Sequence, residues 1–349
     1  MKFKKMFLHL PWIVFVVVVL AGTLFIKAEE TKKTVHLSKS DVTNIEELLD
    51  ENEVYLRKTV GFESDKKGYF YYLDSHYNSL MKVEKKTLKL VKAYSKKGEG
   101  PFELRYPNSL RVKNGIIYLM DFYYKGIRIF DMDFKPIKEI RFGTYLDGNQ
   151  FFFGDLLGRF NRFDISTKGE IYLRSYDPKT KTALQVIDSN GKLVRNLLPV
   201  SACYEKDIEK WAAENKFSIN LDSSDNILIL YHKDGILKKF SPQGKLIRER
   251  NFFQDIPKDE RLPNPIFNVV ANNPGMNITV GLDFFGFELV DNNRMAINTR
   301  KGFYIYNTSD WKLVLKIKKV DVVLYGEKFI FEDGKIWTLN EMADVPNLK

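Results

Sequence analysis

The residue types that perform nucleophilic, metal-assisted or phosphate chemistry are sparse in this chain of 349 residues. It has one cysteine, Cys203, and four histidines. A lone cysteine excludes an internal disulfide framework and a cysteine-rich zinc site. The motifs His-Glu-x-x-His, Gly-x-Ser-x-Gly and Gly-x-x-x-x-Gly-Lys do not occur in the sequence. No catalytic residue is therefore predicted, and His36, His76 and His232 are interpreted as strand-face residues because they lie in or beside strand patterns.

The composition is that of a globular protein. Hydrophobic residues make up 44% of the chain and charged residues 29%. These values exclude a disordered tail, a collagen-like chain and a polytopic membrane protein. The formal net charge is +10, but the lysines are scattered along the predicted strands and do not cluster with aromatic residues. A nucleic-acid partner is therefore not expected.

The N-terminus differs from the rest of the chain. Lys2, Lys4 and Lys5 precede an apolar run from Phe7 to Ile26 that contains no acidic residue. Such a run is about 30 Å long as a helix, roughly the thickness of a bilayer core. The basic flank is expected in the cytoplasm, and the rest of the chain outside it. Residues 1–28 are predicted to be a hydrophobic helix, either a retained membrane anchor or a signal peptide.

An internal repeat sets the expected architecture. From Val54 onward, apolar and polar residues alternate in short runs that predict strands. One hairpin pattern recurs: a strand, a turn rich in Asp, Ser, Asn or Gly, and a returning strand that usually begins with Lys and an aliphatic residue. Its copies are residues 80–91, 127–140, 183–195, 237–248 and 303–315. A shorter strand signature precedes each copy, and these signatures recur at intervals of roughly 45 to 70 residues.

Five full units and one deficient unit predict an all-β fold, a six-bladed β-propeller over residues 54–342, followed by a tail at 343–349. The deficient unit offers three strands, so its fourth is expected from the N-terminus, with residues 34–39 as the donor. Residues 29–53 are accordingly assigned to a linker, this ring-closing strand and a short helix. A β-sandwich array or a β-solenoid is the alternative, although their repeats are usually shorter or their domains smaller.

One blade resembles a known family. The run from Lys97 to Glu103 reads Lys-Gly-Glu-Gly-Pro-Phe-Glu, and it precedes Tyr106-Pro107 and the strand from Ile116 to Asp121. This arrangement is similar to the Gly-x-Gly-Pro-x-Glu-Phe run of NHL-repeat-like six-bladed β-propellers, many of which are exported bacterial proteins of the cell envelope. The match covers about residues 96–142, with Phe102 in place of the usual Gly and Leu104 in place of the usual Phe.

The motif residues themselves are expected to be structural. Gly98 and Gly100 are expected to supply positive φ where the chain leaves one blade for the next, and Pro101 to stiffen that corner. Asp121 is expected to bond turn amides at the end of its strand.

The resemblance also implies a candidate metal site. Some related propellers are hydrolases or lyases that hold a metal in the axial tunnel through Asp, Asn, Glu or His. The candidate ligands in this sequence are Asp164, Asp222, Asp291 and Asn293. No cofactor is predicted; calcium or a catalytic metal ion is the alternative.

Long connections between blades indicate a candidate binding face. In a propeller all blade-to-blade connections gather on one face, and the longest here are residues 143–159, 200–216 and 253–284. Long loops on a rigid scaffold are typical of binding surfaces. The predicted binding residues on this face are Arg105, Tyr106, Phe152, Arg159, Trp211 and Asn268.

The sequence favours a binding or scaffold module outside the cytoplasm. It would be a monomeric domain, associated with a membrane through residues 1–28, and would recognise a peptide, protein or glycan on the loop-rich face. The alternative is a metal-dependent hydrolase or lyase with its site at the mouth of the axial tunnel. A structural spacer in an envelope complex is a third possibility, which predicts an extended apolar patch.

Overall fold

The structure is a computed structural model. It describes residues 33–37, 42–121, 126–141, 163–177, 180–199, 217–232, 234–260, 266–270, 277–281, 286–299, 301–319, 329–338 and 341–344. The predicted hydrophobic helix at 1–28 and the predicted tail at 345–349 lie outside these ranges. Within them, no helix has the length and hydropathy needed to cross a membrane.

Two short strands and one helix precede the repeats. They are β1 (Lys33–Leu37), β2 (Val42–Asn44) and α1 (Ile45–Glu51). The helix lies inside the region where the sequence predicts one. Its Leu49 is 1% exposed and packs in a core cluster with Val54 and Phe62. Burial of this apolar residue fixes so short a helix, which would be marginal on its own.

Each repeat forms a four-stranded antiparallel sheet, or blade, built from consecutive strands. Blade 1 has β3 (Thr59–Ser64), β4 (Tyr69–Asp74), β5 (Ser79–Glu84) and β6 (Leu90–Tyr94). Blade 2 has β7 (Pro107–Lys113), β8 (Ile116–Asp121), β9 (Gly126–Asp131) and β10 (Pro136–Arg141). Blade 3 has β11 (Phe163–Ile165), β12 (Ile171–Asp177), β13 (Thr182–Ile187) and β14 (Leu193–Pro199). Blade 4 has β15 (Phe217–Leu221), β16 (Ile227–Tyr231), β17 (Ile236–Phe240) and β18 (Leu246–Asn251).

A 3-10 helix (Phe252–Gln254) and a separate hairpin, β19 (Ile266–Val270) with β20 (Asn277–Gly281), lie between blades 4 and 5. Blade 5 has β21 (Phe287–Leu289), β22 (Arg294–Thr299), β23 (Gly302–Asn307) and β24 (Leu313–Lys319). The C-terminal strands are β25 (Ile330–Glu332), β26 (Lys335–Trp337) and β27 (Glu341–Asp344). Within the described ranges the structure shows five blades built from consecutive strands, where the sequence predicts six.

The blades are arranged as a β-propeller. The first strands of successive blades contact one another, β3 with β7, β7 with β11, β11 with β15 and β15 with β21, so they surround the axis. Burial falls from the axis outward: every residue of β15 is buried, whereas β18 on the outside of the same blade is mostly exposed. Because the strands alternate in direction, the turns after the first and third strands lie on one face, the turn face. The connections between blades lie on the opposite face, the loop face.

The N-terminal strands complete two sheets. β2 pairs antiparallel with β27, giving a composite sheet in the order β2-β27-β26-β25. β1 pairs in parallel with β24 and becomes a fifth strand of blade 5. The expectation that residues 34–39 supply the missing strand of the last sheet is therefore wrong, because residues 42–44 supply it. Both strands are short and neither carries a sequence feature that selects one edge over another.

The turn between the third and fourth strands has the same backbone conformation before the repeated lysine in each blade. In blade 3, Gly191 donates its amide to the carbonyl of Asp188 at 3.0 Å, and the amide of Asp188 donates to the carbonyl of Lys192 at 2.9 Å. Gly191 has a φ of 85°, which glycine adopts without strain. The residue before the lysine has positive φ in every one of the five blades; the others are Leu88, Phe134, Gly244 and Trp311. The hairpins that the sequence predicts are thus confirmed.

The two glycines of the Lys97–Glu103 motif differ in conformation: Gly98 has a positive φ of 159°, as expected, and Gly100 does not follow the expectation. Gly100 does not adopt a positive φ, and its amide donates to Glu103 Oε2 at 2.8 Å. A Cβ on Gly98 would overlap the same carboxylate. Close approach of Glu103 therefore requires glycine here, and Phe102 takes the left-handed conformation at a φ of 57°.

Candidate functional site

A cavity of about 570 Å³ opens on the turn face where the first strands end around the axis. Its wall includes the turns β3–β4 and β7–β8 and the last residues of β3, β7, β11, β15 and β21. Charged and amide side chains form its deep part, namely Glu63, Arg111, Asp164, Asn220 and Glu288. The cavity therefore lies at the opposite end of the axis from the predicted binding face.

Arg111 on β7 is the central side chain of this cavity. It is 6% exposed. Its Nη1 donates to Glu63 Oε1 at 2.8 Å, and its Nε donates to the carbonyl of Phe163 at 3.0 Å. A longer contact of 3.4 Å runs from Nη2 to the carbonyl of Ile219. One guanidinium thereby joins the first strands of blades 1, 2, 3 and 4.

Neighbouring carboxylates stabilise the charged form of the Arg111 guanidinium. Burial lowers the pKa of a guanidinium, but the charges of Glu63, Asp164 and Glu288 outweigh burial and raise the pKa of Arg111 above its ordinary value. A buried cation of this kind is stabilised only while carboxylates face it. The arrangement is an ionic network shared by several blades.

Asp164 on β11 accepts bonds with both carboxylate oxygens. Oδ2 accepts from the amide of Leu221 at 2.6 Å, and Oδ1 accepts from the amide of Ile165 at 2.7 Å. Lys113 Nζ also donates to Oδ1 at 3.3 Å. In the next blade, Asn220 Nδ2 donates to the carbonyl of Phe287 at 2.9 Å. These bonds extend the network to the first strand of blade 5.

Lysines and an aromatic ring form the rim. Lys66 and Lys67 are exposed in the β3–β4 turn and line the opening. Asp65 in the same turn accepts from the amides of Lys67 and Tyr69 at 2.7 and 3.1 Å. Lys82 Nζ lies 4.4 Å from the centroid of the Tyr69 ring, which is a cation–π distance. The rim is thus cationic, whereas the deep part pairs its own charges.

The predicted metal ligands do not come together. Asp222 accepts from the amides of Ser224 and Asn226 and pairs with Lys239 at 2.8 Å. Its pKa is lowered: burial opposes the shift, but hydrogen bonds from Lys239 and Asn226 outweigh burial. Asp222 serves its own β15–β16 turn, which is the ordinary role of Asp at that position.

Asp291 plays the same part in blade 5. It accepts from the amides of Asn293 and Arg294 at 2.8 and 2.7 Å and pairs with the Arg294 guanidinium. Only Asp164 of the four candidates lines the axial cavity. Among the described residues, no group of three His, Cys, Asp or Glu side chains is placed to hold a metal ion. A site built from Asp164, Asp222, Asp291 and Asn293 is therefore wrong.

Two of the six predicted binding residues lie on the loop face, in the segment before β7. The amides of Arg105 and Tyr106 donate to Asp121 Oδ2 at 3.0 and 3.4 Å. Asp121 thus bonds the chain that enters the blade. The Arg105 guanidinium pairs with Glu99. The Tyr106 side chain is 49% exposed, with Lys58 Nζ 5.9 Å from its ring centroid.

The other four binding residues are not brought to this point by any described contact. Asn268 lies in the hairpin strand β19, where the structure describes only the backbone. Phe152, Arg159 and Trp211 lie outside the described residues. The six-residue loop-face site therefore stays a prediction.

Sequence reasoning missed Glu63, Arg111 and Glu288. The strand sequences around Arg111 and Glu288 could have indicated these two residues. β7 reads Pro-Asn-Ser-Leu-Arg-Val-Lys with its first five residues buried, and β21 reads Phe-Glu-Leu. A charged residue within a strand that is buried beside the axis must have a partner.

A buried serine–histidine pair lies elsewhere, in blade 4. Ser218 Oγ is 2.8 Å from His232 Nε2. Both residues are buried, and the adjoining cavity is about 10 Å³ and lined by mostly apolar side chains. A space of that size holds about one water molecule. The pair therefore has no room for a substrate.

Comparison with known proteins gives a family. Residues 33–248 match the family model described as Domain of unknown function (DUF4221). The chain belongs to this DUF4221 family. A comparison with curated protein sequences finds no match.

Solved structures are similar to the DUF4221 chain in fold. A "Putative exported protein" of Bacteroides fragilis NCTC 9343 has a TM-score of 0.50 and 13% identity over 87% of both chains. A catalytically inactive virginiamycin B lyase from Staphylococcus aureus, with quinupristin, has a TM-score of 0.47 and 13% identity over 84% of this chain and 85% of its own. A protein of unknown function from Bacteroides caccae has a TM-score of 0.43 and 14% identity over 75% and 78%. At 13% identity, the Bacteroides fragilis structure shows the fold alone, and the comparisons do not show the NHL-repeat relationship that the Lys97–Glu103 motif predicts.

Proposed function

We propose that this DUF4221 protein is an extracytoplasmic binding module that takes a small polar ligand into the axial cavity on the turn face. The observation that carries the proposal is the cavity itself. Its volume of about 570 Å³ lies in the range of small-molecule sites, roughly 300–1,000 Å³. Polar groups that converge in one concave site are the usual means of fixing a ligand's orientation.

The bonding of the deep carboxylates supports binding rather than hydrolysis or lysis. Glu63 faces Arg111, and Asp164 accepts two backbone amides and Lys113. A metal ligand or a general base needs carboxylate lone pairs directed at the ion or at the substrate proton. In this cavity Glu63 Oε1 and both carboxylate oxygens of Asp164 accept bonds from groups of the protein.

The proposal also includes a sixth blade and an NHL-like second blade. The composite sheet of β2 and β25–β27 acts as a sixth blade that closes the ring, as the deficient C-terminal repeat suggests. The Lys97–Glu103 motif marks an NHL-like blade. Closure by strands from both chain ends supports a rigid wall around the axial cavity.

The compartment is proposed from the N-terminus. Lys2, Lys4 and Lys5 before the apolar run support export of the rest of the chain, and the structurally similar Bacteroides fragilis protein is described as exported. A fusion of alkaline phosphatase after Lys349 tests it, since that enzyme becomes active only outside the cytoplasm. An inactive but intact fusion contradicts export.

The binding site is tested on the full chain in detergent micelles. The melting temperature is measured with maltotriose, trigalacturonic acid and trialanine as probes. The wild type is compared with Lys67→Trp at the cavity rim and with Tyr106→Ala on the loop face, both exposed positions. A probe that raises the melting temperature of wild type and Tyr106→Ala, but not of Lys67→Trp, supports the axial site. The reverse pattern moves the site to the loop face, and no shift with any probe contradicts the proposal.

A further inference from the structure

We infer that the ligand of the axial cavity carries an anionic group, a carboxylate or a phosphate, which the rim lysines bind. The inference rests on the proposed function and adds the chemical class of the ligand. It follows from a difference between the charged groups of the cavity. Some are paired with other groups of the protein, and others are exposed to a ligand.

The deep charges are used internally. The ion pair of Arg111 and Glu63 has side-chain exposures of 7% and 13%, and Asp164 at 8% faces Lys113. Glu288 is 8% exposed and lies close enough to raise the pKa of Arg111 by its charge. A ligand cation would have to displace arginine or lysine from these carboxylates, at the cost of leaving a buried charge unpaired.

Two of the rim cations, Lys66 and Lys67, are not used in this way. Lys66 and Lys67 are exposed, and no described side chain or carbonyl accepts a bond from either ammonium group. The carboxylate nearest in sequence, Asp65, is turned to the amides of its own turn and to the hydroxyl of Tyr71. Lys113 is 26% exposed and makes one contact of 3.3 Å, so its ammonium retains donors.

The walls suit an anion with an organic body. Tyr69, Val112, Met132 and Leu289 contribute apolar surface to the wall of the cavity. Low-dielectric walls strengthen the attraction of lysines for an anion that enters between them. A carboxylated sugar or a sugar phosphate matches this combination of exposed ammonium donors and apolar wall.

The test is titration calorimetry on the full chain. Trigalacturonic acid and glucose 6-phosphate are the anionic probes, and maltotriose and glucose are their neutral counterparts. The variant is Lys66→Gln with Lys67→Gln. The matched control is Lys86→Gln with Lys89→Gln, which removes two exposed lysines from the β5–β6 turn of the same blade and face, outside the cavity.

At least one anionic probe is expected to bind at least tenfold more tightly than its neutral counterpart. The variant is expected to lose that preference, the control to keep it, and added salt to weaken it. The two anionic probes distinguish a carboxylate from a phosphate ligand. Equal binding of neutral and anionic probes that Lys67→Trp abolishes overturns the anionic inference while the proposed function stands. Equal losses in variant and control also overturn it, because the attraction is then a property of net charge. Failure of every probe overturns the proposed function as well.

Discussion

Arg111 Nη1 on β7 and Glu63 Oε1 on β3 lie 2.8 Å apart, so the deepest ion pair of the axial cavity joins two blades. An ion pair within one sheet would stabilise only that sheet. This one, with the carbonyls of Phe163 and Ile219 as further acceptors, couples four first strands. The cavity wall and the blade packing therefore depend on the same guanidinium.

Replacing Arg111 with methionine is expected to lower the free energy of unfolding by about 3–5 kcal/mol, because Glu63 and Glu288 are left buried without their cation. Urea denaturation followed by circular dichroism measures the change. The double variant Arg111→Met with Glu63→Gln is expected to recover part of the loss. Lys312→Met is the comparison: its pair with Asp310 is 71% and 42% exposed, so its loss should be much smaller. Equal losses at both sites would show that the axial network does not stabilise the fold.

A second prediction concerns a bulge that two blades share. The first strand is irregular at Val60 in blade 1 and at Asn108 in blade 2. Asn108 is 6% exposed, and neither polar atom of its amide has a described hydrogen-bond partner. A buried, unsatisfied amide is destabilising by about 1–3 kcal/mol. Val60 at the equivalent bulge is 4% exposed and packs in an apolar cluster.

Asn108→Val is therefore expected to raise the free energy of unfolding by about 1–3 kcal/mol, and Val60→Asn to lower it by a similar amount. Both are measured by urea denaturation. A loss of stability in Asn108→Val would contradict the prediction and would indicate that a polar group meets this amide in solution.

The repeats made the fold predictable because their information is local. A turn such as Asp188 to Lys192 is specified by side chains within five residues, and the same chemistry recurs in each blade. The sheets with which β1 and β2 pair could not be predicted from nearby residues. Two short strands with similar patterns each fit an open sheet edge, and their choice depends on the far end of the chain.

The site was less predictable for a related reason. Arg111 and Glu63 belong to different blades, and no motif links residues that meet only at the axis. Asp222 and Asp291 lie in the turns that follow β15 and β21, whereas Asp164 lies within β11. Turn chemistry alone accounts for the first two, so an Asp near the end of a first strand gave no information about a ligand.

The N-terminal strand β1 provides a third prediction. Leu37 is 1% exposed and packs with Phe303, Ile305 and Leu315 of blade 5. His36, beside it on the same strand, is exposed. Leu37→Ala is expected to lower the free energy of unfolding by about 2–5 kcal/mol through the cavity that it leaves. His36→Ala should change it by less than about 0.5 kcal/mol. Thermal melting of both variants checks this; indistinguishable melting temperatures would mean that β1 is not a structural part of blade 5.

A fourth prediction concerns alkaline pH. Burial raises the pKa of Tyr231 to about 12, and the charge of Glu249 adds to the effect. The phenol of an unfolded chain ionises near pH 10. Between these values the unfolded chain has lost a proton that the folded protein retains. The contribution of Tyr231 is therefore complete below pH 10 and is lost as the pH rises towards 12.

Tyr231→Phe removes this titration. The variant is expected to lose about 2 kcal/mol less stability than wild type between pH 9.5 and 11.5, given about 1.4 kcal/mol for each unit of pKa difference. Urea denaturation at the two pH values measures it. Tyr55→Phe, at a side chain that is 58% exposed, is the control and should follow the wild type. The difference isolates one phenol, because the buried hydroxyls of Tyr72 and Tyr306, whose pKa values burial also raises, remain in every variant. Parallel losses in wild type and Tyr231→Phe would show that this phenol is solvated in the folded protein.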